Sequence, residues 1–99
     1  MLLETKTAVI YGGGGAIGSA VAHAFAREGA KVFLAGRTLQ KLEVTATEIA
    51  KTGGMAESLQ VDARNEKSVE DFLDKVLEKT GRIDISFNAI DFGEHKADH

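Results

Sequence analysis

Short apolar runs alternate with amphipathic stretches along the chain. Residues 7–11 and 31–35 are rich in strand-favouring side chains, and the second run is almost wholly apolar. Such runs are typical of strands that are covered on both faces of a sheet. Residues 57–61 form a third predicted strand, and residues 83–89 form a fourth in which apolar and polar side chains alternate.

Between these strands lie three stretches with apolar residues at helical spacing. The first ends at Gly29, the second begins after Thr38 as its cap, and the third begins after Asn65, a good N-cap residue, and ends at Gly81. The residues expected on the apolar faces are Ile17, Val21 and Phe25 in the first helix, Leu42, Ala46 and Ile49 in the second, and Val69, Phe72, Leu73, Val76 and Leu77 in the third.

The regular alternation of strand and helix predicts the α/β class, with a parallel sheet of about four strands and helices on its faces. Residues 1–90 form one predicted domain. The apolar rhythm fails over residues 91–99, which we interpret as a solvated tail.

Composition narrows the function classes. The chain has 99 residues, enough for one domain, with 12 basic and 15 acidic residues and a net charge of -3. This balance argues against a nucleic-acid-binding or membrane-surface role, since both need a concentrated positive field. There is no cysteine and no apolar run of membrane-spanning length, so we expect a cytoplasmic protein.

A run of four glycines separates the first strand from the first helix. Gly13, Gly15 and Gly18 satisfy a G-x-G-x-x-G spacing. Glycines there permit a sharp turn and let a diphosphate approach main-chain amides, while the helix presents its positive end. We therefore predict dinucleotide binding. The alternative is a flexible turn that binds nothing.

The end of the second strand bears on the choice of cofactor. A carboxylate there would accept hydrogen bonds from the ribose hydroxyls of NAD(H), whereas this chain has Ala35, Gly36 and Arg37. Arginine offers a planar fork of donors suited to phosphate oxygens, so we predict NADP(H) in preference to NAD(H). The alternative interpretation of Arg37 is an ordinary solvated side chain. Lys41 is more simply a surface lysine than a second phosphate ligand.

These segments together, with 61–63 (Val-Asp-Ala) and 87–90 (Phe-Asn-Ala-Ile), resemble the N-terminal half of a short-chain dehydrogenase/reductase. The resemblance covers about residues 7–90 and implies a Rossmann-like three-layer fold with strand order 3-2-1-4, here truncated. The family's loop motif T-G-x-x-x-G-x-G falls on Tyr11, Gly12, Ala16 and Gly18, so its Thr is Tyr and its second Gly is Ala.

The resemblance also implies contacts to the rest of the cofactor. Asp62 would bind the adenine amino group with Ala63 beside the ring, and Asn88 and Ala89 would lie near the nicotinamide ribose. Ile90 replaces the glycine of the family's N-A-G segment. The complete set of candidate cofactor-binding residues is Gly12, Gly14, Gly15, Ala16, Ile17, Gly18, Arg37, Asp62, Ala63, Asn88 and Ala89.

No candidate catalytic residue is found. The family uses a serine and a Tyr-x-x-x-Lys pair for hydride transfer at a carbonyl or alcohol, but the only tyrosine is Tyr11, followed four residues later by Gly15. Tyr11 is expected to pack at the strand end or line the loop. A possible metal-ligand group of Glu94, His95, Asp98 and His99 is more simply a charged tail, so no metal is predicted.

The sequence thus predicts the NADP(H)-binding portion of an oxidoreductase. Two alternatives remain open: a non-catalytic nucleotide-binding or regulatory module, and an assembly partner that binds no ligand. The fourth strand would lie at an open edge of the sheet, bordered by Ile83, Ile85 and Phe87. Because an unpaired edge is a template for association, we expect self-association through this strand or marginal stability.

Overall fold

A computed structural model describes residues 2–89. Its elements, in chain order, are β1 (Thr7–Tyr11), α1 (Ala16–Arg27), β2 (Lys31–Gly36), α2 (Leu39–Lys51), β3 (Met55–Gln60), α3 (Glu66–Thr80) and β4 (Ile85–Asn88). The four strands form one sheet in the order β3-β2-β1-β4, and every neighbouring pair is parallel. The predicted Rossmann-like fold and strand order are confirmed.

The sheet separates two apolar clusters, which makes the fold three-layered. Successive side chains of β1 and β2 point to opposite faces, so each strand contributes to both clusters. The cluster on the side of α1 and α2 contains Ile10, Ala22, Ala26, Ala30, Val32, Leu34, Leu42 and Ile49. The cluster on the side of α3 contains Val9, Phe33, Ala35, Val61, Phe72 and Val76.

Helix α1 buries a different face from the one predicted. Its buried residues are Gly18, Ala22 and Ala26, whereas Val21 and Phe25 only flank the cluster. Ile17 is 65% exposed. The helix lies so close to the sheet that only small side chains fit beneath it, and the larger apolar residues are displaced to the sides of the contact.

The bounds of β3 and β4 differ from prediction by one or two residues at each end. β3 begins earlier, at Met55, and β4 is limited to Ile85–Asn88, because its pairing with β1 begins opposite Ala8. In α2, Thr45 is buried between the predicted Leu42 and Ile49, whereas Ala46 is only partly buried. Thr38 stands at the N-cap of α2, as predicted, but its side chain makes no capping hydrogen bond.

Both predicted ends of α3 are confirmed. The Asn65 side chain accepts a hydrogen bond from the Ser68 amide at 3.1 Å, and Gly81 ends the helix with a left-handed φ of 80°. Phe72 and Val76 are buried as predicted, but Leu77 is exposed.

Asp84 joins the start of β4 to the start of β1. Its carboxylate accepts a hydrogen bond from the Thr7 amide at 2.8 Å and forms an ion pair with Arg82. The Arg82 guanidinium and the Thr7 amide hold the pKa of Asp84 below its ordinary value. The ionised carboxylate therefore stabilises the folded chain above its unfolded-state pKa, and this contribution is lost as the pH falls through the lower folded-state pKa.

We expect Asp84→Asn to lower the free energy of unfolding at pH 7 and to remove part of the loss of stability that the parent protein shows from about pH 5 downward. Urea unfolding at a series of pH values measures both effects. Asp74→Asn is the matched control, because within residues 2–89 the Asp74 side chain makes no hydrogen bond or ion pair. Identical pH profiles for Asp84→Asn and the parent would contradict the prediction.

Residues 90–99 lie outside the described part of the chain, and with them the predicted tail and the group Glu94, His95, Asp98 and His99. Over residues 2–89, no group of three or more potential metal ligands is present. The same residues include no helix of the length and apolarity needed to cross a bilayer.

Candidate functional site: the carboxyl edge of the sheet

The candidate residues are brought together at the carboxyl ends of the parallel strands. Tyr11, the last residue of β1, is paired with Ala35 of β2 on one side and Asn88 of β4 on the other. Gly36 of β2 is paired with Gln60 at the end of β3. The segments that follow these strands therefore share one edge, which is where open α/β sheets bind their ligands.

The glycine loop between β1 and α1 lies at the centre of this edge. Gly12 has a left-handed φ of 83°, which explains the need for glycine there. The Gly12 and Gly13 amides donate to the Ala35 carbonyl at 2.7 and 3.3 Å, and the Gly15 amide donates to the Gly12 carbonyl at 3.1 Å. These three amides fasten the loop to β2 and to itself, so they are not donors for a ligand.

Four other amides of the loop have no internal partner. Within the described residues, the backbone N–H groups of Gly14, Ala16, Ile17 and Gly18 donate no hydrogen bond. Gly15 caps α1 without a side-chain acceptor, and the first turn of α1 carries no acidic residue. The positive end of the helix is therefore available to an anion.

Close packing explains why the loop needs glycine at further positions. A Cβ at Gly18 would collide with the carbonyl oxygen of Gly12. A Cβ at Gly13 would lie 2.9 Å from the Leu34 side chain, and one at Gly14 would lie 2.8 Å from Cβ of Lys41. The loop is thus held between β2, α1 and α2, and its free amides belong to the loop and to the first residues of α1. This cradle fits a diphosphate group.

Tyr11 and Ala16 are the two departures from the family's loop motif. The Tyr11 ring packs edge-on against Phe72 with 5.5 Å between ring centroids, and burial raises the pKa of its hydroxyl. Tyr11 therefore packs at the strand end, as predicted. Ala16 is exposed at the start of α1.

Arg37 lies in the turn between β2 and α2 and is exposed. In the part of the chain that the structure describes, its guanidinium forms no hydrogen bond or ion pair. Its carbonyl accepts a hydrogen bond from Nε2 of Gln60 at 2.8 Å, which ties this turn to the end of β3. Sequence reasoning did not identify Gln60, because nothing in the chain indicates that its side chain reaches a neighbouring turn.

Asp62 follows β3 and is held in an Asx-type turn. Its Oδ1 accepts hydrogen bonds from the Arg64 amide at 3.0 Å and from Arg64 Nε at 3.4 Å, and its own amide donates to Ser68 Oγ at 3.0 Å. The Arg64 amide chiefly holds the pKa of Asp62 below its ordinary value, with smaller effects of the Arg64 side chain and the Arg37 charge. Asp62 is therefore an ionised acceptor at neutral pH, and Ala63 lies beside it in the turn.

Sequence reasoning also missed Arg64 and Ser68. The spacing of an Asx turn, an aspartate followed two residues later by its backbone donor, was a readable signal for Arg64. The role of Ser68 depends on how the turn folds back onto α3.

Asn88 and Ala89 stand at the other end of the edge, beyond the glycine loop. Asn88 is exposed and paired with Tyr11, and the Ala89 amide donates to the Tyr11 carbonyl at 2.8 Å. Asn88 is placed on the same face of the sheet as its partner Tyr11. The edge thus presents, in order, Asp62, Arg37, the free loop amides and Asn88.

The parallel sheet and the glycine cradle together define a Rossmann-like domain of the dinucleotide-binding kind. Comparison with protein families agrees: residues 6–91 match the short chain dehydrogenase family. The chain therefore belongs to this family. The uncharacterised oxidoreductase YxbG of Bacillus subtilis is 45% identical over 86 residues, which are 87% of this chain and 32% of that protein. The chain thus spans about a third of the length of this curated relative.

Solved structures show the same architecture. A metagenomic short-chain oxidoreductase in complex with NADP has a TM-score of 0.84 and 34% identity, covering 87% of this chain and 39% of that one. A xylitol dehydrogenase bound to NAD+ has a TM-score of 0.83 and 29% identity, covering 87% of this chain and 33% of that one. Both dinucleotides thus occur among similar structures.

Proposed function

We propose that residues 2–89 bind a nicotinamide dinucleotide as the cofactor portion of a short-chain oxidoreductase. The observation that carries the proposal is the group of four unpartnered amides between Gly14 and Gly18, next to loop glycines where most added side chains would collide with the protein. Such amides at a helix's positive end suit a diphosphate. The bound dinucleotides of similar structures support the same conclusion.

We further propose a preference for NADP(H). At the adenosine end of the site, the Arg37 and Arg64 guanidinium groups face a single carboxylate, that of Asp62, which is already paired with Arg64. Arg37 is left with its donors free in the described structure. A 2′-phosphate would meet a positive field and a planar fork of donors there, whereas the hydroxyls of NAD(H) would find no free carboxylate directly after β2.

Other residues of the edge orient the remainder of the cofactor. We propose that Asp62 accepts a hydrogen bond from the adenine amino group beside Ala63, and that Asn88 and Ala89 border the nicotinamide ribose. When bound, the nicotinamide supplies hydride transfer to or from a carbonyl or alcohol carbon. The residues described here bind and orient the cofactor, and none of them is proposed as the acid or base of that reaction.

Calorimetric titration of the 99-residue chain with NADPH and NADH tests the proposal. We expect both to bind, with NADPH at least about tenfold tighter, because only NADPH offers the 2′-phosphate to Arg37. Tighter binding of NADH would overturn the NADP(H) preference. Absence of binding by either cofactor would overturn the proposed function and favour an assembly partner that binds no ligand.

We also propose that the chain self-associates through β4, which is the outer strand beside β1 in the sheet formed by residues 2–89. Sedimentation velocity should show a dimer at high micromolar concentration. Ser86 is exposed in the middle of β4, so Ser86→Lys should disfavour edge pairing and give a monomer. Gln40→Lys, the same change in charge on exposed α2, is the control and should remain dimeric. A parent protein that is monomeric at every concentration, with a cooperative melt, would refute self-association.

A further inference from the structure

Thr45 of α2 is a buried hydroxyl at the back of the glycine loop. Its exposure is only 3%, and among the described residues Thr7 is the one other polar residue that is buried as a whole. Oγ1 of Thr45 lies 3.3 Å from the Gly13 carbonyl oxygen and 3.4 Å from Oγ of Ser19. A hydroxyl has one proton and two lone pairs, so Thr45 satisfies both contacts by donating to Gly13 and accepting from Ser19.

This geometry is not the usual one for a threonine inside a helix. Such a hydroxyl ordinarily points to solvent or bonds the carbonyl four residues earlier in its own helix. Thr45 instead reaches out of α2, although its neighbours Leu42 and Ile49 belong to an apolar cluster where an unpaired hydroxyl is costly. Its place in the core is therefore explained by the loop that it contacts.

The two partners of Thr45 bracket the anion-binding amides. Gly13 precedes and Ser19 follows the segment that contains the free N–H groups of residues 14 and 16–18. Lys41, one turn earlier in α2, supports the same loop, since its Cβ occupies the place of any side chain at Gly14. Helix α2 thus contacts both ends of the segment.

We propose that Thr45 is a positioning residue for the phosphate loop, and this inference rests on the proposed dinucleotide-binding function. Its hydroxyl fixes the Gly13 carbonyl and Ser19, so that the intervening amides are ordered outward before the cofactor arrives. Preorganised donors bind more tightly because the cost of ordering the loop is met during folding. Thr45 touches no part of the cofactor in this role.

Thr45→Val and Thr45→Ser test the inference by calorimetry with NADPH, NADH and 2′-AMP. Valine keeps the shape without the hydroxyl, and we expect both dinucleotides to bind about fivefold more weakly, the effect of one lost hydrogen bond. Binding of 2′-AMP, which carries the 2′-phosphate but no diphosphate, should stay unchanged and shows that the fold is intact. Serine, which keeps the hydroxyl, should restore parental affinity.

Amide hydrogen exchange of the cofactor-free chain provides an independent readout. We expect faster exchange of the Gly13, Gly15 and Ser19 amides in Thr45→Val, because these are the loop amides that internal hydrogen bonds protect, with β2 and α3 unchanged. If the valine variant does not fold, Thr45→Ala and Thr45→Ser form a second pair that differs by one oxygen atom. If Thr45→Val or Thr45→Ala bound both dinucleotides as tightly as the parent and showed parental amide exchange in the loop, the positioning role of Thr45 would be overturned and the proposed function would stand. A parent protein that binds no dinucleotide would overturn the proposed function itself. If binding of 2′-AMP fell by the same factor as binding of the dinucleotides, the variant would have a general folding defect, and this result would also overturn the positioning role of Thr45.

Discussion

Replacing Gly18 with alanine is expected to weaken dinucleotide binding about 100-fold and to destabilise the fold by about 3 kcal/mol. The added methyl group would collide with the Gly12 carbonyl oxygen, which itself accepts the hydrogen bond from the Gly15 amide. The obstacle is backbone, not the movable end of a side chain. Either α1 must move away from β1 or the loop must open, and both movements displace the amides that would bind the diphosphate.

Gly15→Ala is the matched control for this experiment. Gly15 has φ -87° and ψ 173°, an extended conformation open to any residue, and an added Cβ would lie 3.6 Å from the Gly12 oxygen, its nearest contact beyond the adjoining residues. We expect its stability to stay within about 0.5 kcal/mol of the parent. Urea unfolding and calorimetric titration of both variants measure the difference. Parental stability and affinity in Gly18→Ala would refute the tight cradle as the basis of binding.

The contrast between Gly18 and Gly15 illustrates what the sequence alone reveals. The alternation of strands and helices, the position of the glycine run and the caps Asn65 and Gly81 are local signals, and each predicted its element. Which face of α1 packs against the sheet is not determined by the sequence of the helix alone. Helical spacing pointed to larger residues such as Ile17, but the distance between α1 and the sheet is set by the Gly12–Gly18 contact, which leaves room only for small side chains.

In the candidate site, too, some residues could be predicted from the sequence and others could not. Arg37 and Asp62 were identifiable because each follows a predicted strand, and parallel strands end at a common edge. The residues that support the Arg37 turn and the glycine loop were not identifiable from the sequence. Gln60 bonds the Arg37 carbonyl from a neighbouring strand, and Thr45 bonds the Gly13 carbonyl from a neighbouring helix. Such contacts depend on the packing of elements that are distant in sequence, and no spacing of residues along the sequence indicates them.

Arg37→Ala is expected to weaken NADPH binding about 10- to 100-fold and to leave NADH binding within about twofold of the parent. This range of affinity loss corresponds to the removal of one or two charge-assisted hydrogen bonds to the 2′-phosphate. Because the Arg37 guanidinium makes no hydrogen bond or ion pair within residues 2–89, its removal should not disturb the fold. Parallel calorimetric titrations with the two cofactors measure the ratio.

Two further variants test whether Arg37 acts through direct hydrogen bonds to the 2′-phosphate or only through its positive charge. Lys41→Ala removes a cation one turn into α2 while keeping the Cβ that packs on Gly14, so it should change NADPH binding by no more than about twofold. Arg37→Lys keeps the charge but loses the planar fork, so its affinity for NADPH should lie between those of Arg37→Ala and the parent. If Lys41→Ala weakened NADPH as much as Arg37→Ala does, the preference would arise from summed positive charge near the site. An equal loss of NADH and NADPH in Arg37→Ala would instead show that the β2–α2 turn had lost its shape.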